Sequence, residues 1–395
     1  IEAGIDVLLL VYAPACQRFC WQVMDAAWGQ AMDERLASIL ELVGDEDIAV
    51  AAARALGVEQ VLEPGRVTYG EIDKPHADAR TIGIVRLAGK ASVGDGAVRP
   101  WSTVLKVVDL AVDSFNNSAT NPQNEERVYE RGLFAGAGLK FRPASCFHIS
   151  QPTESVRVLW LEDLTNAKGA PFELGELAQI LRHLGEWNAA MVRDPPHLGF
   201  SVASDFPRRR WEQWNFPARV ADLQRLDAEP MVRDLYSRQP LSLASQFVAV
   251  LGQLVEHSRS LPHALSFGDA PIGNFFCLPD ETVAIDWSGL GIEPLGADGG
   301  CIVGSALTWG TRFADVAVNE RELFKSYAEG FAEAGADIGP PTLRSGYLAH
   351  LAFYLGTIAI FPTMVAGPRA LFSRDFFEKR LGMRLEEFGG VASVI

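Results

Sequence analysis

The hydrophobic positions change period along the chain. Leu36, Ile39, Leu40 and Leu42, then Ile48, Ala51, Ala52 and Leu56, recur every three to four residues, which predicts two short helices joined at Gly44-Asp45. From Gln60 the pattern turns extended: residues 67–69, 81–87 and 101–108 read as strands, with a turn at 92–96, so a small antiparallel sheet is expected. Residues 124–129 open a helix, and 156–164 form an apolar strand that ends in acids. Beyond Thr165 the helical period dominates. Leu174, Leu177, Ile180, Leu181, Leu184 and Trp187 line one face of a helix over 174–192, and further helices are predicted over 241–261, 319–334 and 342–366. The fold class read from this order is α+β, a small antiparallel-sheet lobe followed by a larger helical lobe. The expected divisions are an N-terminal extension or accessory helix over 1–34, the sheet lobe over 35–163 and the helical lobe over 164–395.

Composition narrows the picture. With 395 residues, 48% of them hydrophobic, the chain can bury a large core. A formal net charge of −15 argues against nucleic acid as a partner, because phosphate binding needs clustered cations. The dense basic run Arg208-Arg209-Arg210, beside Trp211 and Trp214, reads as a solvated helix start, with contact to an anionic substrate as the alternative. Five scattered cysteines do not form a disulfide framework and point to a reducing cytoplasm, and Cys16 and Cys20 read as buried small apolar residues. The short apolar run 7–12 follows Glu2 and Asp6 rather than a basic segment, so no signal peptide is read there. Residues 345–367 hold no Asp, Glu, Lys or Arg, but His350 and Pro362 interrupt them, and a core helix is expected over a membrane span. Gly89-Lys90-Ala91-Ser92 lacks the upstream Gly and the Ser or Thr of a P-loop, and the seven His residues show no metal-binding spacing.

The stretch from Ser266 to Trp287 carries chemistry. Asp269 and Asn274 lie five positions apart in a Gly- and Pro-bearing loop, and Asp286 follows twelve positions later at the end of a short apolar run. This is the layout of a phosphoryl-transfer site, in which one carboxylate accepts a hydroxyl proton while an amide oxygen and a second carboxylate hold Mg²⁺. The competing reading makes Asp269 and Asn274 ordinary turn residues.

At Ser266-Phe267-Gly268-Asp269 through Asn274, and at Ile285-Asp286-Trp287, the chain resembles the aminoglycoside phosphotransferase and choline kinase-like family. The resemblance implies a two-lobed, protein-kinase-like fold with an ATP-binding sheet and hinge in the N-lobe. It also implies transfer of the γ-phosphate of ATP, with Mg²⁺, to a small-molecule hydroxyl such as that of an amino alcohol or aminoglycoside. By the same resemblance Lys106, the cation inside the apolar strand 101–108, contacts the α and β phosphates. Glu125 is its helical partner, with Glu126 as the fallback, and Glu162 and Leu164 of Leu-Glu-Asp-Leu offer backbone groups to adenine. Phe267 stands where the family has His, which motivates an alternative, a pseudokinase-like nucleotide or ligand binder without turnover. Asp298, ending a Gly-x-x-Pro-x-x-x-Asp turn, is expected to fix that turn through backbone N–H groups. Residues 195–240 are where a substrate lid or a packing insertion would sit. A protein acceptor is disfavoured, since neither Phe-Gly nor an Ala-Pro-Glu motif follows Asp286.

Overall fold

The computed structural model describes residues 34–63, 65–72, 80–94, 96–112, 121–134, 138–226, 241–309, 313–360 and 363. The two leading helices are α1 (Glu34–Leu40) and α2 (Asp45–Ala55). Gly44 caps α2 in an extended conformation and donates its N–H to Asp47 Oδ2 at 3.3 Å, while Asp45, Glu46 and Asp47 face the positive helix end. Leu36, Ile39, Ile48 and Ala51 pack with Val85, Leu87, Leu105, Val107 and Trp160, so these helices cover one face of a sheet. The expected extension, with Cys16 and Cys20, lies outside the described residues, although Glu34 begins α1.

That sheet has six antiparallel strands. Its order is β1 (Val61–Glu63), β3 (Thr81–Val93), β4 (Val98–Asp109), β7 (Val156–Glu162) and β6 (Cys146–Ser150), with β2 (Thr68–Glu71) also paired to β3. β3 runs on through Ser92 and Val93 because a tight turn, Val93 N–H to Ala97 C=O at 3.0 Å, closes the hairpin later than the sequence turn 92–96. Lys106 is central: it pairs with Ile84 on β3 and with Leu159 on β7. Since strand side chains alternate, burial of Leu105 and Val107 against α1 and α2 sends Lys106 out of the opposite face.

The remainder is mainly helical. α3 (Pro122–Glu130) precedes β5 (Phe141–Pro143), and α4 (Leu174–Arg193) follows β7. Next come β8 (Ala203–Ser204), α5 (Phe206–Trp214), α6 (Phe216–Leu226) and α7 (Leu241–Ser258), with 227–240 outside the described residues. β9 (His263–Ser266), β10 (Phe275–Cys277), β11 (Thr282–Ala284) and β12 (Gly291–Pro294) then frame the candidate loop. β9 pairs with β12, and β10 pairs with β11, so the chain returns twice to one place. α8 (Ala297–Trp309), α9 (Phe313–Val318), α10 (Glu320–Glu333) and α11 (Pro340–Ile360) complete the lobe. The largest core cluster gathers Trp187, Phe267, Trp287, Tyr327 and Tyr347. Within the charge-free run, Tyr347, Leu351 and Phe353 are buried in α11, and among the described residues no helix is long and apolar enough to cross a membrane.

Candidate functional site

The loop after β9 is built by close backbone approach. Gly268 has φ +85°, and a Cβ there would stand 2.0 Å from the Gly289 carbonyl oxygen; a Cβ on Gly289 would stand 2.5 Å from the Asp269 nitrogen. Only bare Cα atoms let the two segments meet. Asp298, in the first turn of α8, accepts from Phe267 N–H at 3.0 Å, Gly268 N–H at 2.9 Å and Asn188 Nδ2 at 2.9 Å. Burial pushes its carboxyl above the ordinary range, and those three bonds pull it back only in part. The expectation that Asp298 fixes its own turn is thereby corrected: the N–H groups it holds belong to the loop that presents Asp269. Further along, Ala270 N–H points to Cys301 Sγ at 3.2 Å and Ile272 N–H to Ser305 Oγ at 3.0 Å, so α8 anchors the loop along its length. Phe267 is fully buried, its ring edge-on to Trp287 at 4.8 Å and tilted against Phe275 at 5.3 Å.

Asn274 and Asp286 meet across a hairpin. Phe275 pairs with Ala284, and the Asn274 carbonyl accepts from Ile285 N–H at 2.9 Å, which sets buried Asn274 opposite the residue before Asp286. The apolar strand ends at Ala284, two residues earlier than the sequence pattern implied, because Asp286 turns left-handed with φ 63°. A non-glycine residue in that region needs local support. Ser288 Oγ supplies it by donating to Asp286 Oδ1 at 2.9 Å, and the Asp286 N–H donates to Glu125 Oε1 at 3.1 Å.

Glu125 therefore reaches two ways. Its Oε2 lies 2.5 Å from Lys106 Nζ, and the same ammonium lies 3.2 Å from Asp286 Oδ1. Burial alone would lower the Lys106 pKa, but the charges and hydrogen bonds of Asp286 and Glu125 outweigh it and hold the ammonium above its ordinary value. Glu126, the fallback partner, pairs instead with Arg157 at 3.0 Å. α3 is docked at its N-terminus as well: Asn121 N–H donates to the Ser288 carbonyl at 2.8 Å and Asn124 Nδ2 to the Leu290 carbonyl at 3.1 Å.

At the end of β7, Glu162 pairs with Thr103, three positions from Lys106 on β4. Burial pushes the Glu162 carboxyl up, yet Arg142 and the Ser145 N–H hold it below the usual range. Arg142 forks onto it at 2.8 and 3.1 Å while its Nε reaches Glu281 at 2.9 Å. The Glu162 N–H is taken by the Ser145 carbonyl at 2.8 Å and the Leu164 carbonyl by Ala167 N–H at 2.9 Å.

The arginine run is where the sequence reading needs correction. Only Arg208 behaves as a solvated residue, pairing with Glu212 at 2.8 Å. Arg209 reaches buried Glu293 at 3.5 Å and the Ser204 carbonyl at 2.7 Å, and Arg210, with 8% of its side chain exposed, lies 3.5 Å from Asp269 Oδ2. α5 packs on the lobe instead of standing in solvent, since Trp211 stacks on Phe216 at 4.7 Å. Tyr354 was also missed: its hydroxyl donates to Asp269 Oδ1 at 3.4 Å and accepts from Cys301 Sγ at 3.1 Å. Nothing in a charge-free helical run marks that tyrosine, whereas Trp211, next to the arginines, was a usable signal for burial.

Lys106, Glu125 and Asp286 are thus in direct contact, Asn274 adjoins Asp286 through the hairpin, and the backbone at Asp269 abuts Gly289, three residues beyond Asp286. Asn274 and Asp286 offer an amide and a carboxylate, hard oxygen donors of the kind Mg²⁺ takes when phosphates complete its sphere. Among the described residues no group of three or more His, Cys, Asp or Glu is placed to hold a metal ion.

A six-stranded antiparallel sheet carrying a Lys–Glu pair, set beside a mainly helical part that presents the Asp and Asn loop, is an α+β architecture. Neither a protein-family model nor a curated protein sequence matches the chain. Among solved structures it is similar to a Plasmodium vivax ethanolamine kinase, at 9% identity over 80% of this chain and 81% of that one, with a TM-score of 0.46. It is similar to a spectinomycin phosphotransferase bound to ADP and spectinomycin, at 11% identity over 83% and 94% of the two chains, with a TM-score of 0.45. A choline kinase from Streptococcus pneumoniae matches at 11% identity over 82% and 93%, with a TM-score of 0.42.

Proposed function

We propose that this protein is an ATP-dependent phosphotransferase that moves the γ-phosphate to a hydroxyl of a small molecule. The observation that carries the reading is the contact of Lys106 with both Glu125 and Asp286, beside the loop that presents Asp269 and Asn274. Asp269 orients the acceptor hydroxyl and takes its proton; its side chain is 28% exposed, enough to meet an acceptor. Lys106, kept cationic and held by Glu125, positions the α and β phosphates. Glu162 C=O and Leu164 N–H receive the adenine edge. Asn274 and Asp286 would hold Mg²⁺, which when bound neutralises phosphate charge. Most of the rate gain comes from positioning and from preorganised charge. The acceptor is a small molecule and not nucleic acid, protein or a membrane, and the working compartment is the cytoplasm.

The test is a panel of hydroxylated metabolites and antibiotics with ATP and Mg²⁺, read as ADP release, on the wild type and Asp269→Asn. Asp269→Asn should lose roughly 10³-fold in turnover while affinity for a non-hydrolysable ATP analogue stays within a few-fold. Equal turnover in the variant, or no nucleotide binding by the wild type, rejects the proposal.

A further inference from the structure

We propose that Arg210 makes the acceptor site selective for hydroxyl compounds that carry an anionic group, above all a carboxylate, and turns away those with an ammonium beside the hydroxyl. The inference rests on the phosphotransferase reading, in which Asp269 faces the acceptor, and it departs from the amino alcohol and aminoglycoside acceptors that the family resemblance implied.

A hydroxyl served by Asp269 has its oxygen about 3 Å from that carboxylate. Arg210 Nη2 is already 3.5 Å from Asp269 Oδ2, so the acceptor carbons next to the hydroxyl come within a few ångströms of the guanidinium. Arg210 is buried, and a charge shielded from water acts on its neighbours more strongly than a surface charge does. A guanidinium matches carboxylate geometry and repels an ammonium.

The arginine is also held where it is. Arg209, the preceding residue, is tied to Glu293, whose side chain is 1% exposed, and to the Ser204 carbonyl. Trp211, the following residue, stacks on Phe216 and borders Gly252, where a Cβ would come within 3.2 Å of its ring. A helix fixed on both sides of Arg210 cannot swing the charge away to admit a cation. The overall charge of −15 draws cations to the surface at long range, but Asp269 already carries the Arg210 guanidinium 3.5 Å from its Oδ2.

Matched acceptors test this: hydroxy-carboxylates and amino alcohols of equal chain length, assayed with ATP and Mg²⁺. The wild type should favour the hydroxy-carboxylates at least tenfold in kcat/KM. Arg210→Gln should erase most of that preference, raising KM for the carboxylates about tenfold with a smaller change in kcat. Arg210→Lys, which keeps the charge, should retain part of it, and Arg208→Gln on the exposed side of α5 should leave it intact. A wild-type preference for amino alcohols, or an unchanged ratio in Arg210→Gln, overturns the inference. Thermal shifts with the same acceptors and a non-hydrolysable ATP analogue separate the two readings. A carboxylate preference in binding without any turnover keeps the inference and removes the phosphotransferase, turnover on amino alcohols alone does the reverse, and binding of neither class removes the inference.

Discussion

Lys106 and Glu125 form a buried ion pair whose partners depend on each other. Removing one side strands the other charge away from water, which costs about 3 kcal/mol or more, whereas removing both costs less than the sum. Lys106→Met should therefore lower stability by about 3 kcal/mol in a denaturant titration, and adding Glu125→Gln should recover part of the loss. The single variant suffers further because Asp286 and Glu125 then face each other without their shared cation. Phe267 makes an opposite case. Its ring packs against Phe141, Phe275 and Trp287 in the apolar core and its N–H is already taken by Asp298, so an imidazole there finds apolar surroundings. Phe267→His should lose roughly 2 kcal/mol of stability and raise turnover not at all; a more active Phe267→His would show that the loop requires a polar side chain here.

At the scale of elements, the contact between the Asp269 loop and the turn after Asp286 depends on two glycines. Gly289→Ala places a methyl 2.5 Å from the Asp269 nitrogen and 2.7 Å from its Cβ, and neither can yield without moving the carboxylate. Turnover in Gly289→Ala should fall by at least tenfold while helical circular dichroism is retained, because α8 and α4 do not rely on that approach. Most elements were legible in the sequence. Helices 174–193 and 320–333 carry an apolar stripe, and Lys106 stood out as the cation inside the apolar strand run 101–108. Asp269, Asn274, Asp286, Lys106 and Glu125 stood out because their order and spacing are unusual together, although spacing alone did not choose Glu125 over Glu126. Arg210 was misread because a run of three like charges has the texture of a wet helix face. The groups that bury it come from 59 residues further on, at Asp269, and from the tertiary stacking of Trp211 on Phe216. Arg142 was equally silent: a single cation near a short strand gives no hint that it will fork onto Glu162.

For the molecule as a whole, acid sensitivity should follow from buried histidines. Burial holds His350 near a pKa of about 4, against 6.5 when exposed, and His183 is lowered to about 4 for the same reason. A depressed folded pKa means that the unfolded chain binds more protons between 6.5 and 4, so stability is full above 6.5 and declines as pH falls through that window. His350→Leu removes one such group, and its Nε2 has no hydrogen-bond partner to lose. From pH 7.5 to pH 5 the wild type should lose about 2 kcal/mol more than His350→Leu in urea unfolding, and equal losses would show that His350 does not titrate as described. Of the bonds that dock α3, one ties both halves of the protein together, because the Asp286 amide hydrogen ends on the carboxylate that also holds the Lys106 ammonium. That single hydrogen is a native gauge of the interlock: in exchange with deuterated water it should be among the slowest near the surface, and it should speed up when Lys106 is replaced, well before global melting.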